Sequence, residues 1–146
     1  MKNAHLPPII FILILKTKLL AGVQELTVNS GVVIFSYPKA NTGGCTKQAC
    51  GFRDSYDKIT AAGYGVYGLS ADNPTPQANW RKKHDMQFHL ICDTEREALK
   101  AFGMLSKDKI VRSHIVIGKG GVVEQLEIGV KPDKSSLIAT QLICGE

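Results

Sequence analysis

Residues 31–37 (GVVIFSY) run into the turn-forming stretch PKANTGG, and apolar positions then recur at Cys45, Ala49, Phe52, Tyr56 and Ile59. This succession constrains the fold of the chain more than any other feature. A short run rich in Val, Ile and aromatic residues reads as a central strand buried on both faces. Spacings of four, three, four and three residues then place the apolar set on one face of an amphipathic helix, which Gly63 is suited to stop. A buried strand therefore leads through a tight turn into a helix, with a cysteine at the start of that helix.

The rest of the chain alternates in the same way. Residues 65–70 read as a second strand. Thr75 and Pro76 supply an N-cap and first-turn proline for a short helix reaching about Asp85. Residues 88–91 form a third strand. Thr94 with Glu97 reads as a capping box ahead of Ala98, Leu99 and Phe102, with Gly103 closing that helix. Residues 112–117 and 122–128, joined by the glycine turn 118–121, read as a hairpin. Asp133 opens a last helix expected to turn Leu137, Ile138 and Leu142 inward. Strands alternating with helices argue for an α/β layer fold with parallel pairs, and the hairpin adds antiparallel ones. A thioredoxin-like fold, with a central mixed sheet flanked by helices, fits that order.

With 146 residues and 44% hydrophobic content, one domain with a real core is expected, and no linker or repeat divides it. We place that domain at residues 31–146, after an apolar N-terminal segment at 1–30. Residues 9–15 (IIFILIL) are far short of the ~20 apolar residues that span a bilayer. They read as a buried strand, with a targeting segment as the other reading. The net charge is +5. Its clearest cluster, Arg81, Lys82 and Lys83, lacks an accompanying RNA-type aromatic motif and reads as a solvated helix face, so neither nucleic acid nor membrane is expected as a partner. Four cysteines are too few for a secreted disulfide framework, so a reducing compartment is favoured. His84, His89 and His114 show no ligand-like spacing, and Trp80 is expected to pack its helix.

The helix start carries the chemistry. A helix N-terminus presents roughly half a positive charge and several unpaired N–H groups, which favour a thiolate at Cys45. Inward packing alone explains that position equally well. Cys50 adds the second sulfur. Five residues along an ideal helix amount to ~7.5 Å of rise and ~140° of rotation, or ~8–9 Å between Cα atoms. A disulfide needs Cα atoms within ~7 Å, so these sulfurs join only if the first helical turn unwinds.

The segment from Tyr37 to Asp54, with Pro38, Thr42 and Cys45 spaced as Pro-x-x-x-Thr-x-x-Cys, resembles the active-site stretch of the peroxiredoxins. A second cysteine five residues on is like the bacterioferritin-comigratory, or peroxiredoxin Q, subgroup. Residues 68–72, 89–93 and 110–114 extend the similarity, looking most like the fungal nuclear-type members, and the resemblance covers residues 31–128. It implies an atypical two-cysteine peroxidase. Cys45 would be the peroxidatic thiolate, passing through a sulfenic acid. Cys50 would be the resolving thiol, forming an intramolecular disulfide that thioredoxin reduces. Thr42 would hydrogen-bond the thiolate and the peroxide oxygen, or simply cap the helix. Arg112 would hold the thiolate ionised and stabilise charge on the peroxide oxygens. Pro38 would shield the sulfur, and backbone N–H groups near Gly44 and Cys45 would complete the substrate site. The substrates would be hydrogen peroxide and organic hydroperoxides, with no cofactor or metal. An intramolecular bond removes any catalytic need for a dimer, so a monomer is expected, in cytoplasm or nucleus.

The chain departs from the family at three places. Gly43 stands where proline usually follows the threonine, which loosens the loop at an entropic cost of about 0.4–1 kcal/mol. Residues 1–30 match the family's N-terminal hairpin and helix poorly, and the C-terminal helix is short and ends in Cys144. Cys92 reads as a half-buried packing residue or a second resolving thiol. The rival readings are a thioredoxin-type dithiol-disulfide oxidoreductase and a non-enzymatic zinc-binding module. The first wants Cys-x-x-Cys and a facing proline, and no proline lies between Pro76 and Pro132. The second wants a matched ligand pair that the spacing lacks.

Overall fold

The computed structural model describes residues 4–5 and 30–146. The expectation for residues 9–15 lies outside them. In chain order the elements are β1 (Ala4–His5), β2 (Gly31–Ser36), α1 (Gly43–Ala61), β3 (Tyr64–Ser70), α2 (Pro74–Lys83), β4 (His89–Cys92), α3 (Glu97–Ala101), β5 (Leu105–Ser106), β6 (Lys109–Ile110), β7 (Ser113–Gly118), β8 (Val122–Ile128) and α4 (Ser135–Cys144).

Six strands form one mixed sheet in the order β1-β8-β7-β2-β3-β4. β2, β3 and β4 are parallel neighbours, while β7 lies antiparallel to β2 and β8 antiparallel to β7. Every residue of β2 is buried, as a two-sided central strand requires. Alternation along it feeds two cores. Val32 and Ile34 join Leu69, Leu99, Met104 and Ile115 on one face. Val33 and Phe35 join Phe52, Ile59, Trp80 and Phe88 on the other, beneath α1, α2 and α4. Phe35 stacks on Phe52 at 4.5 Å, tying the strand to the helix that follows it. Pairing of Ser36 with Ser113 brings the exit of β2 beside the entry of β7.

The mixed sheet, the α1 stripe and the β7–β8 hairpin agree with the reading of the sequence, and three local expectations are corrected. Asn73, rather than Thr75, is the N-cap of α2, and Pro74 occupies its first turn. No capping box forms at α3. Its N-cap is Arg96 in the left-handed region, and the Asp93 carboxylate accepts from the amides of Glu97 (3.0 Å) and Leu99 (2.8 Å) instead. In α4, Leu137 faces outward at 47% exposure, while Ser135, Ser136, Ala139 and Thr140 are buried. Close approach of α4 to α1 selects that face of small residues. A Cβ at Gly51 of α1 would fall 2.3 Å from Ser136 Oγ, so only glycine permits the contact.

Candidate active site

The site forms where β2 ends and α1 begins. Tyr37 and Ala40 are buried, whereas Pro38, Lys39, Asn41 and Thr42 face solvent. The loop is pinned from β3, since Asp72 Oδ2 accepts from the Ala40 amide at 2.8 Å and from Ser70 Oγ at 2.7 Å. Asn41 takes the left-handed region (φ 62°), which its short amide tolerates, and its Oδ1 accepts from Lys83 Nζ at 3.2 Å.

Helix α1 starts at Gly43, two residues ahead of Cys45. Its ladder opens with the Thr46 amide donating to the Thr42 carbonyl at 2.8 Å. The amides of Gly43, Gly44 and Cys45 therefore precede the first intrahelical bond and give this end its partial positive charge. The Cys45 side chain is 1% exposed. Thr42 occupies the N-cap position without a side-chain capping bond, and its hydroxyl donates to the Lys39 carbonyl at 2.8 Å.

Arg112, 67 residues further along the chain, reaches this helix start. Its Nη1 donates to Gln48 Oε1 at 2.9 Å, and its Nη2 lies 3.0 Å from where a Cβ on Gly44 would sit. The guanidinium thus covers the turn that carries Cys45, in space that the missing Gly44 side chain leaves open. Gln48 is wholly buried and holds the guanidinium in place. Gln48 is absent from the sequence expectations, although a polar residue on the buried face three positions after Cys45 is a legible signal. Trp80, expected only to pack its helix, also reaches this turn. Trp80 is buried against Tyr37, and its Nε1 donates to Thr46 Oγ1 at 3.1 Å, beside Cys45.

The four cysteines are all free thiols. Cys50 is half-buried in the same unbroken helix as Cys45. Cys92 borders a separate groove of about 570 Å³ between α2 and β4, with Arg81, Lys82 and His89. Burial pushes the Cys92 thiol up. Cys144 Sγ donates weakly to the Lys58 carbonyl at 3.7 Å. Lys58 lies 13 residues along α1 from Cys45, or ~20 Å at helical rise. Among the described residues no cluster of three or more His, Cys, Asp or Glu is placed to hold a metal ion, and no helix is long and apolar enough to cross a membrane.

A mixed sheet of this order flanked by helices defines the thioredoxin-like fold class, here with a buried cysteine at the N-terminus of the helix that follows the central strand. Residues 21–126 match the model of the AhpC/TSA family, and the chain belongs to that family. It is 41% identical over 125 residues to peroxiredoxin bcp1 of Schizosaccharomyces pombe, covering 81% of this chain and 64% of that protein. It is 39% identical over 98 residues to the chloroplastic peroxiredoxin Q of Oryza sativa subsp. japonica, covering 65% of this chain and 45% of that one. The chain thus spans less than two thirds of the length of either relative. Bacterioferritin comigratory protein of Xanthomonas campestris superposes with a TM-score of 0.78 at 23% identity, covering 82% and 81% of the two chains, a likeness of fold. The relatives agree with the resemblance to the bacterioferritin-comigratory and peroxiredoxin Q subgroup, its fungal members included.

Proposed function

We propose that this chain is a thiol peroxidase that reduces hydrogen peroxide and organic hydroperoxides through Cys45. The observation that carries the reading is the Arg112 guanidinium, fixed by Gln48 over the helix turn that holds the buried Cys45. A positive side chain and unpaired amides converge where a thiolate would attack and where charge develops on the peroxide oxygens. The Cys45 thiolate attacks the terminal O–H oxygen of the hydroperoxide, an S–O bond forms as the O–O bond breaks, and the leaving hydroxide or alkoxide takes up a proton. Cys45 becomes a sulfenic acid. The Thr42 hydroxyl hydrogen is engaged by the Lys39 carbonyl, so its oxygen lone pairs remain to accept from the hydroperoxide O–H. Pro38 borders the loop as an exposed shield.

In the second step the Cys50 thiol attacks the sulfenic sulfur, a disulfide forms and water leaves. The two sulfurs share a continuous helix, so the first turns of α1 must unwind for this step. A thioredoxin-type dithiol then supplies two electrons and restores both thiols. Cys144, lodged at the far end of α1, is badly placed to compete with Cys50. An intramolecular cycle needs no dimer and so fits a monomer, and the sparse cysteines and the family resemblance favour cytoplasm or nucleus.

The test couples the reduced protein to thioredoxin, its reductase and NADPH, with hydrogen peroxide or an organic hydroperoxide as substrate. NADPH consumption should vanish in Cys45→Ser. Cys50→Ser should accumulate sulfenic or overoxidised Cys45 with thioredoxin-linked turnover greatly reduced. Consumption that survives Cys45→Ser rules out the assignment.

A further inference from the structure

Beyond Gln48 the polar contacts continue inward as a single chain of buried groups. Gln48 Nε2 donates to Ser135 Oγ of α4 at 3.2 Å and to the Ser113 carbonyl at 3.5 Å. Ser135 Oγ lies 2.9 Å from His114 Nδ1, and His114 Nε2 lies 2.7 Å from Gln125 Oε1 of β8. Ser135 and His114 are both wholly buried.

With the Gln48 and Gln125 amides oriented as they stand, a neutral His114 gives one assignment in which every group is paired. A guanidinium only donates, so Gln48 presents Oε1 to Arg112 and Nε2 to Ser135. Gln125 presents its Oε1 to His114, so His114 Nε2 carries the hydrogen and Nδ1 is bare. The Ser135 hydroxyl then donates to Nδ1 and keeps a lone pair for Gln48. Every member is satisfied, and reversing any one of them sets two donors or two acceptors face to face. Such a fully paired buried chain holds its members in one orientation. The assignment needs neutral His114, and burial lowers its proton affinity accordingly. The charged groups at its borders are Glu127, paired with it across β8, and Arg112 at the far end of the chain.

We infer that Ser135 and His114 are positioning residues for Arg112, fixing the amide orientation of Gln48 through a hydrogen-bond relay that reaches α4 and β8. The inference rests on the peroxidase reading, because it concerns the placement of Arg112 over Cys45. It assigns catalytic consequence to the C-terminal helix, which donates no group to the reaction itself. The Ser113 carbonyl, at its longer distance, is a weaker second hold on Gln48, so the loss on breaking the relay is partial.

The experiment is a double-mutant cycle on the second-order rate constant for Cys45 oxidation, read by competition with a reference peroxidase for hydrogen peroxide. Ser135→Ala should lower that rate constant by about 5- to 10-fold, a coupling typical of residues sharing one network. In an Arg112→Ala background the same substitution should cost nothing further, because it acts through the absent guanidinium. Gln125→Leu, which breaks the relay at its other end, should repeat both results should Ser135→Ala fold poorly. Thioredoxin-linked reduction of the preformed disulfide should be unchanged in Ser135→Ala and Gln125→Leu. An undiminished rate in Ser135→Ala and Gln125→Leu, or an equal loss with and without Arg112, overturns the relay. An undiminished rate in Arg112→Ala alone overturns the site reading itself.

Discussion

The Trp80 indole N–H donates to the Thr46 hydroxyl at 3.1 Å, joining α2 to the residue that follows the candidate peroxidatic cysteine. The bond spans a buried aromatic contact, since Trp80 is 1% exposed and packs on Tyr37 with ring centres 5.0 Å apart. It clamps the part of α1 that must unwind before Cys45 meets Cys50.

Removing that clamp should favour the open helix. Trp80→Phe keeps an aromatic ring and deletes the donor. A net hydrogen bond contributes about 1 kcal/mol, roughly fivefold in the opening equilibrium. We expect faster disulfide formation and less overoxidised Cys45 in a peroxide titration followed by mass spectrometry. Equal or greater overoxidation in the variant would show that Trp80 does not restrain this step.

Gly44 offers a test of Arg112 placement without altering any polar group. A Cβ there would sit 3.0 Å from Arg112 Nη2 and 3.5 Å from Pro132 Cγ. Arg112 is tethered by Gln48, so Gly44→Ala should shift the guanidinium slightly away from the turn and slow Cys45 oxidation by up to roughly tenfold, within the range for misplaced catalytic groups. Alanine is the better helix former, so the thermal midpoint should hold or rise. A variant that loses rate and stability in parallel would point to misfolding instead.

Away from the site, Asp93 should act on stability alone. Its carboxylate is 3% exposed and serves two amides of the first turn of α3. Asp93→Ala leaves both amides unsatisfied and should cost about 1–3 kcal/mol in urea unfolding. The rate constant for peroxide should be unaffected, which separates this residue from the relay around Gln48.

His114 predicts the direction of one pH effect. Burial places its folded-state value below the ordinary 6.5, so the unfolded chain binds a proton before the folded one does. Stability from neutral His114 is complete above about 6.5 and should be lost as pH falls below that value toward its lowered folded one. Urea unfolding at pH 7, 6 and 5 should show this decline, and His114→Asn should flatten it. A decline of the same steepness in that variant would assign the effect to other groups.

Much of this organisation is local and was legible in the residues. The all-buried β2, the stripe through Cys45, Ala49, Phe52 and Ile59, and the glycine turn before β8 follow from periods of 2 and 3.6 and from turn chemistry. The spacing of Pro38, Thr42, Cys45 and Cys50 likewise lies within a few turns of chain. The misread ends of α2 and α3 are failures of the same local kind. Several residues could cap each helix, and the carboxylate of Asp93 won because it reaches two amides at once.

On α4, Leu142 packs against the core as expected, while Leu137 departs from expectation for a different reason. Hydrophobic pattern favours burying Leu137, but at Gly51 two helices come so close that only small residues fit between them, and no local pattern carries that distance. Likewise, apart from the family resemblance at residues 110–114, nothing near Arg112 in the chain marks it as more than a strand-end charge. Its meeting with Gln48 and Gly44, 64 and 68 residues away, follows from the register of β7 on β2, which sets Ser113 opposite Ser36. The candidate nucleophile and its helix are thus written in neighbouring residues, whereas the charge proposed to serve it depends on long-range strand pairing, because a guanidinium acts only where the sheet delivers it.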